Sequence, residues 1–312
     1  LQVHRSGAAW KERGVTAFDY TARGNCACGR ILDAGHDRVE KVYLWGRVTF
    51  LRCAGCGSWC QSPLIASASL ARWFDSDEYQ GSMRRAGIAY TNYLGDERNR
   101  MIEARGRCSR DLDPLLRRRA RILEVGCGTG SLLAALRERG HEVVGLDLSS
   151  RFCDFARRTY GVEVIEADLL DVALLPASFD AVVAMGTVSN LGDFAACLSR
   201  IRELLRPGGV FIFNYPDADS ILVKLVYRHR FWMFTPSIGT FMTTRGCTAA
   251  VTRAGFSDMV VWHDIQRPRV QKLLKHARVG FLMAAAHALG LGSASMPFSF
   301  RVPTIRFAVA RA

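Results

Sequence analysis

The spacing of apolar residues changes character near residue 120. Beyond it, five short apolar runs recur, each bounded by turn residues: RILEV (121–125), EVVGLD (142–147), VEVIEAD (162–168), DAVVAMG (180–186) and GVFIFNYP (209–216). Continuous apolar runs of that length read as strands buried on both faces. Between them lie amphipathic segments of helical period. SLLAALRERG (131–140) sets leucines at 132, 133 and 136 and closes on Gly140, a residue suited to ending a helix. SSRFCDFARRTYG (149–161) offers a serine cap and a closing glycine. DFAACLSRIRELL (193–205) puts Phe194, Cys197, Leu198, Ile201 and Leu205 on one stripe. SDMVVWHDI (257–265) and FRVPTIRFAVA (300–310) supply two more strand candidates. Strand and helix in alternation predict an α/β fold, a parallel sheet covered on both faces in the Rossmann-like manner.

Upstream the texture differs. KVYLWGRVTFLRC (41–53) is rich in β-favouring residues. It is followed by ARWFDSDEYQGSM (71–83) and then a polar, helical stretch to about 118. The predicted organisation is a small N-terminal β module (1–80), a helical linker and cofactor cover (81–118), and an α/β domain (119–312) with insertions near 217–245 and 267–300.

Composition narrows the classes. With 49% apolar and 23% charged residues in 312, the chain reads as globular. No apolar stretch reaches the roughly 18–20 residues of a membrane span; VGFLMAAAHALGLG, from Val279, is short and interrupted by His287. The N-terminus has no signal-peptide core, so a cytoplasmic location is the default expectation. The net charge of +13 rests on arginine, since only five of 42 basic residues are lysine. The arginines are spread along the chain, which favours a solvated surface; a nucleic-acid partner stays open but is not favoured. Ten cysteines without an export signal argue against a disulfide scaffold. Five of them, Cys26, Cys28, Cys53, Cys56 and Cys60, fall in the first 60 residues and point to metal.

The candidate chemistry lies in ILEVGCGTG (122–130). Gly126, Gly128 and Gly130 follow a strand, and Asp147 closes the next one. Glycines there permit a turn tight enough for a ligand to touch backbone. The dinucleotide pattern G-x-G-x-x-G fails, because residue 131 is serine. Glu124 precedes the turn and no lysine lies within it, which suits a cation better than a phosphate.

LEVGCGTG (123–130) with GLD (145–147), FDAVVAMGTV (179–188) and LLRPGGVFIF (204–213) resembles the class I S-adenosylmethionine-dependent methyltransferases, in order and spacing, over about residues 85–312. The resemblance implies a seven-stranded sheet, mostly parallel with the last strand antiparallel. It implies that the turn of Gly126, Cys127, Gly128 and Gly130 lies along the cofactor, with the three glycines lining its methionyl and ribose portion; the Cys127 side chain itself reads as a small buried filler rather than a nucleophile. Glu124 would sit near the cofactor's ammonium group, and Asp147, with Leu148 beside it, at the ribose hydroxyls. Asp168 would meet the adenine amino group and Leu169 the ring, with Met185 and Gly186 near the sulfonium.

For catalysis the resemblance is less definite. Many small-molecule members carry a histidine where Asn190 stands here, and asparagine takes no proton at neutral pH. Proximity catalysis, or a base from elsewhere such as His229, is expected. MGTVSN (185–190) does not match the N-P-P-Y pattern of nucleobase enzymes, and NYPD (214–217), superficially similar, follows the fifth strand. Residues 220–244, with Tyr227, His229, Arg230, Phe231, Trp232 and Phe234, read as a substrate cover or as packing over the sheet. RVQKLLKHARVGFLMAAAHALG (269–290) suits either core packing or peripheral contact with a membrane surface.

Cys53-x-x-Cys56 has zinc-knuckle spacing and Cys26-x-Cys28 is one residue shorter. The segment, with RWFDSDEYQGS (72–82) after it, resembles the zinc-ribbon start of methyltransferases of sugar and polysaccharide biosynthesis. That implies structural zinc on Cys26, Cys28, Cys53 and Cys56, with Cys60 a fifth candidate and reduced free thiols the alternative. The expected function is methyl transfer from S-adenosylmethionine to a small-molecule acceptor, a sugar or other biosynthetic intermediate. Open alternatives are an RNA methyltransferase of ribosomal type and a non-catalytic S-adenosylmethionine-binding regulator.

Overall fold

The computed structural model describes residues 18–32, 38–43, 46–79, 94–225, 236–266 and 300–312. His229, the aromatic stretch 226–235, nearly all of the second insertion (267–299) and residues 80–93 of the expected linker lie outside the described residues.

The strands in chain order are β1 (Tyr20–Thr21), β2 (Arg38–Tyr43), β3 (Gly46–Arg52), β4 (Trp59–Gln61), β5 (Leu64–Ile65), β6 (Arg121–Val125), β7 (Glu142–Asp147), β8 (Glu163–Glu166), β9 (Phe179–Ala184), β10 (Leu205–Pro216), β11 (Thr240–Phe241), β12 (Met259–Gln266) and β13 (Phe300–Arg311). The helices are α1 (Ser67–Asp75), α2 (Glu97–Arg107), α3 (Ser131–Glu138), α4 (Ser150–Tyr160), α5 (Phe194–Leu204), α6 (Ile221–Leu225) and α7 (Thr244–Arg253).

Seven strands form the main sheet in the order β12-β13-β10-β9-β6-β7-β8. β6 to β10 run parallel, and β13 lies antiparallel between β10 and β12. This is the mostly parallel sheet with an antiparallel last strand that was expected. Because neighbouring strand residues face opposite sides, the apolar runs feed two cores. Ile122 and Ile212 pack with Leu133, Leu136, Cys153 and Ala156 of α3 and α4. Leu123, Phe211 and Phe213 pack with Phe194, Cys197 and Ile201 of α5 and Val251 of α7.

The helix boundaries follow the sequence signals. Ser149 Oγ accepts the Phe152 amide at 3.1 Å and opens α4, and Gly161 closes it in a left-handed conformation. One expectation shifts by a residue. Leu204, not Leu205, completes the buried stripe of α5, because Leu205 has already entered β10 and pairs with Phe179.

The N-terminal strands make a second sheet, ordered β11-β4-β3-β2. Its edge strand β11 comes from residue 240, far beyond the expected boundary at residue 80: Thr240 pairs with Cys60 and Phe241 with Trp59, whose rings stack at 5.3 Å. The expected cover also moves. Among the described residues, which leave out 80–93, the helix over the sheet's carboxyl edge is α1, within the N-terminal 80 residues, and α2 packs beside α3, where Arg100 reaches Thr129 Oγ1 at 3.1 Å.

Candidate cofactor site

β6 ends in the turn Gly126–Gly130 and β7 ends in Asp147, side by side at the carboxyl edge of the sheet. Here ligands bind in open α/β sheets. The Asp147 carboxylate fastens the turn: Oδ2 accepts the Gly128 amide at 2.8 Å and Oδ1 the Ser149 amide at 2.9 Å. Burial pushes its pKa up, and the amides of Ser149, Gly128 and Leu148 pull it back. Gly126 adopts φ +70°. A Cβ there would lie 2.2 Å from Thr187 Oγ1, so glycine is required both by conformation and by the close approach of the loop after β9.

A cavity of about 220 Å³ opens in front of this turn. Of the residues expected at a cofactor, Gly126, Gly128, Asp147, Leu148, Asp168, Leu169, Met185 and Gly186 line it, as does Asn190. Glu124, Cys127 and Gly130 do not. Glu124 is buried behind the turn with Oε2 unpartnered. Burial first, then the Asp147 charge, holds its carboxyl well above the usual range. Cys127 faces the core, its Sγ close to Gly145, and its thiol is pushed up by the same burial. Gly130 admits α4, since a Cβ there would lie 2.7 Å from Ala156 Cβ. An alternating G-x-G-x-G turn presents only part of itself to one side, which position in the motif alone does not reveal.

The remaining walls come from residues the sequence reading missed. α1 contributes Ser67, Leu70 and Phe74, and Tyr79 follows it. The cover is glued by edge-on aromatic contacts, Phe74–Tyr79 at 5.1 Å and Tyr79–Phe152 at 6.1 Å. Asp75 then accepts hydrogen bonds from Ser149 Oγ (2.5 Å), Ser150 Oγ (2.9 Å) and the Arg151 amide (3.2 Å) at the start of α4. Leu70, Trp73 and Phe74 at helical spacing carried that signal.

The loop after β9 forms the opposite wall. Gly186 donates its amide to Asn214 Oδ1 at 2.6 Å. Asn214 Nδ2 reaches Asp264 at 3.3 Å, and Asp264 takes a forked pair from Arg107 at 2.5 and 3.1 Å. Asn214 belongs to NYPD, so that segment serves the site from behind. Asn190 sits in the short turn Val188–Asn190 and donates Nδ2 to Gly186 O at 3.4 Å. Its Oδ1 is buried without a partner.

The charge of the lining is one-sided. Asp147, Asp168 and Asp193 face the cavity, and no lysine, arginine or histidine does so among the described residues. A pyrophosphate would find no cation there; a positively charged nucleoside with free hydroxyl and amino donors would find three carboxylates.

The cysteine module lies apart from this cavity. Sγ atoms of Cys26, Cys28, Cys53 and Cys56 all lie within 4.8 Å of one another. Cys26–Cys56 and Cys28–Cys53 are each 3.6 Å apart, and all ten cysteines are free. Thiolates at about 2.3 Å from a tetrahedral zinc stand about 3.8 Å from one another, so the spacing fits a metal. Each pair sits in a turn closed by backbone: Gly29 N to Cys26 O at 2.8 Å and Gly57 N to Cys53 O at 2.7 Å. Cys60 is buried in the same cluster but outside the four.

Residues 123–213 match the family described as Methyltransferase domain. The chain is 36% identical over 106 residues to the malonyl-[acyl-carrier protein] O-methyltransferase of Enterobacter lignolyticus (strain SCF1), covering 34% of this chain and 42% of that protein. It is 35% identical over 127 residues to the demethylmenaquinone methyltransferase of Thermus thermophilus, covering 38% and 58%. The chain thus spans about half the length of these curated relatives. Among solved structures, a SAM-dependent methyltransferase from Archaeoglobus fulgidus superposes with a TM-score of 0.51 at 16% identity, covering 70% of this chain and 99% of that one, a likeness of fold. Among the described residues no helix is long and apolar enough to cross a membrane.

Proposed function

We propose that this protein transfers a methyl group from S-adenosylmethionine to a small-molecule acceptor. The observation that carries the reading is the cavity itself: three carboxylates, no cationic side chain among the described residues, and a glycine turn pinned by Asp147. The relatives' names, which include methyltransferases acting on malonyl-[acyl-carrier protein] and demethylmenaquinone, agree with a small acceptor. Bound cofactor would supply an activated methyl on a cationic sulfur. Asp147 would take the ribose hydroxyls, Asp168 and Leu169 the adenine, and Gly126 and Gly128 the chain between. Met185, Gly186 and Asn190 would face the reacting end. Asn190 Oδ1, lacking a partner, is placed to accept a hydrogen bond from the acceptor and so orient it. α1 with Tyr79 would exclude water. Rate enhancement would come from alignment more than from proton transfer. His229 stays a candidate base.

Finer parts of the same reading are a sugar or related biosynthetic intermediate as acceptor and a structural zinc held by Cys26, Cys28, Cys53 and Cys56. The four cysteines would fold the module and perform no step of the transfer. The test is incubation of the full chain with methyl-labelled cofactor and cell extract, with Asp147→Ala as control. Label in the low-mass or lipid-linked sugar fraction supports the reading. Label in RNA overturns it, and cofactor binding without label in any fraction points to a regulator. Metal analysis of the same preparation tests the zinc, with one ion per chain expected.

A further inference from the structure

Gly239 touches both halves of the molecule. Its carbonyl oxygen accepts Arg23 Nη1 at 2.6 Å and the Gln61 amide at 2.8 Å. Its own amide donates to Ser189 O at 2.8 Å. Arg23 stands three residues before Cys26, and Gln61 follows Cys60, so both donors belong to the cysteine module. Ser189 is the middle of the Val188–Asn190 turn, and Asn190, Leu191, Gly192 and Asp193 then line the cavity. Arg23 adds a second bond, Nη2 to Thr240 Oγ1 at 2.9 Å, that ties β11, already paired with β4, to the segment before Cys26.

Space at this junction is as tight as its polar pairing. A Cβ on Gly239 would meet Leu64 Cδ1 at 3.1 Å and Leu191 O at 3.2 Å, and one on Gly192 would meet Leu64 Cδ2 at 3.4 Å. The turn is therefore clamped between Gly239 and the segment leaving β4. Its own side chains hold it weakly: Ser189 Oγ and Asn190 Oδ1 have no partner, and Asn190 Nδ2 makes one long bond. The module has a separate anchorage elsewhere, where Thr243 Oγ1 donates to Cys56 O at 2.7 Å and the Thr243 amide to Ser58 Oγ at 3.1 Å.

We propose that Arg23, acting through Gly239, is a positioning residue by which the cysteine module sets the Val188–Asn190 turn, the acceptor-side wall of the cavity. The role given to that turn rests on the methyl-transfer reading; the mechanical link does not. The state of the four cysteines then reaches the site: loosening the module frees Gly239 and lets the turn move, while the Asp147 end stays in place.

Hydrogen–deuterium exchange on the full chain, read peptide by peptide, tests this without needing the acceptor. In Arg23→Ala, exchange over 186–192 should rise about tenfold, the opening expected on losing a charge-assisted hydrogen bond. Exchange over 121–147 should stay unchanged and metal content should be retained. Arg23→Lys, which can still reach Gly239 O, should restore much of the protection. Thr243→Val, which removes the Oγ1 bond to Cys56 O and the cap that Oγ1 gives α7 at the Gly246 amide but leaves the Arg23–Gly239 contact intact, should leave 186–192 protected, whereas a merely structural role would loosen both regions alike. Metal removal by a chelator should reproduce the Arg23→Ala pattern, reversed by added zinc. Unchanged exchange over 186–192 in Arg23→Ala, or equal loosening in Thr243→Val, overturns the proposal. Cofactor affinity measured on the same samples keeps the two readings apart: absence of binding by the unsubstituted protein sinks the methyl-transfer reading and leaves the exchange result to decide the relay.

Discussion

Replacing Gly126 by alanine adds one methyl group where two separate costs can be told apart. Gly126 has φ +70°, where an L-residue is strained by about 1–2 kcal/mol. The new Cβ would also lie 2.2 Å from Thr187 Oγ1, 2.4 Å from Cγ2 and 2.8 Å from Cβ. No rotation of Thr187 clears its own Cβ, so the loop after β9 must shift, an overpacking of about 1–3 kcal/mol. Together these amount to about 2–5 kcal/mol, or roughly 30- to 5000-fold in affinity for a ligand that needs the turn intact. Calorimetric titration with S-adenosylmethionine reads the loss. Thr187→Gly removes the obstructing atoms, so Gly126→Ala with Thr187→Gly should recover the steric share and keep only the backbone strain, about tenfold. If the double variant binds no better than Gly126→Ala with Thr187 intact, the close approach is not the reason for glycine here. If Gly126→Ala alone binds like the unsubstituted protein, the turn is not a cofactor wall.

Other predictions follow from the buried charges and the cover. Burial, and then the Asp147 charge, hold the Glu124 carboxyl well above the usual carboxylate range, so the stability it contributes is fully present below the ordinary carboxylate pKa of about 4.3 and is lost as pH rises towards its raised value in the fold. Asp147 contributes in the same direction. Melting temperatures of Glu124→Gln and the unsubstituted protein should therefore diverge from about pH 5 upward, the variant becoming the more stable; curves that stay parallel would refute this. Asp264→Ala takes the forked carboxylate from the Arg107 guanidinium, leaving it the single 3.1 Å bond to Asp111, and releases Asn214. With side-chain exposures of 15% and 1% for Arg107 and Asp264, urea unfolding should show about 3 kcal/mol lost, whereas breaking the exposed Arg105–Glu138 pair should change little. Phe74→Ala opens the cover and should weaken S-adenosylhomocysteine binding about tenfold by calorimetry, with far-ultraviolet dichroism unchanged.

The strand–helix alternation and the caps of α4 were legible because each is local: a few adjacent residues determine it. The glycine turn and Asp147 were each legible at the end of an apolar run, but the bond between them, 19 residues apart, was not. The cover was not. Its helix carries Leu70, Trp73 and Phe74 at helical spacing, but which surface that face meets depends on Asp75 finding the start of α4, a contact between distant segments. β11 left no trace, since two residues have no period. Glu124 was legible as an acid just before the turn and was expected to face the cofactor, but its side of the turn depends on backbone twist. Asn214 was visible within NYPD and looked idle because its partner, the Gly186 amide, belongs to a different strand's exit loop.

The pairing of Thr240 with Cys60 also orders events during synthesis. The outer edge of β4 can be covered only once a strand about 180 residues downstream has been made. At roughly 5–20 residues per second, the nascent module exposes an unpaired edge for on the order of ten seconds or more. Trp59, which ends up stacked on Phe241, waits as long. An N-terminal fragment ending near residue 80 would carry that edge permanently, inviting a second chain to add a strand. Fragment expression is therefore a poor guide to whether the cysteine module can fold, and a stall before residue 240 is the event most exposed to aggregation.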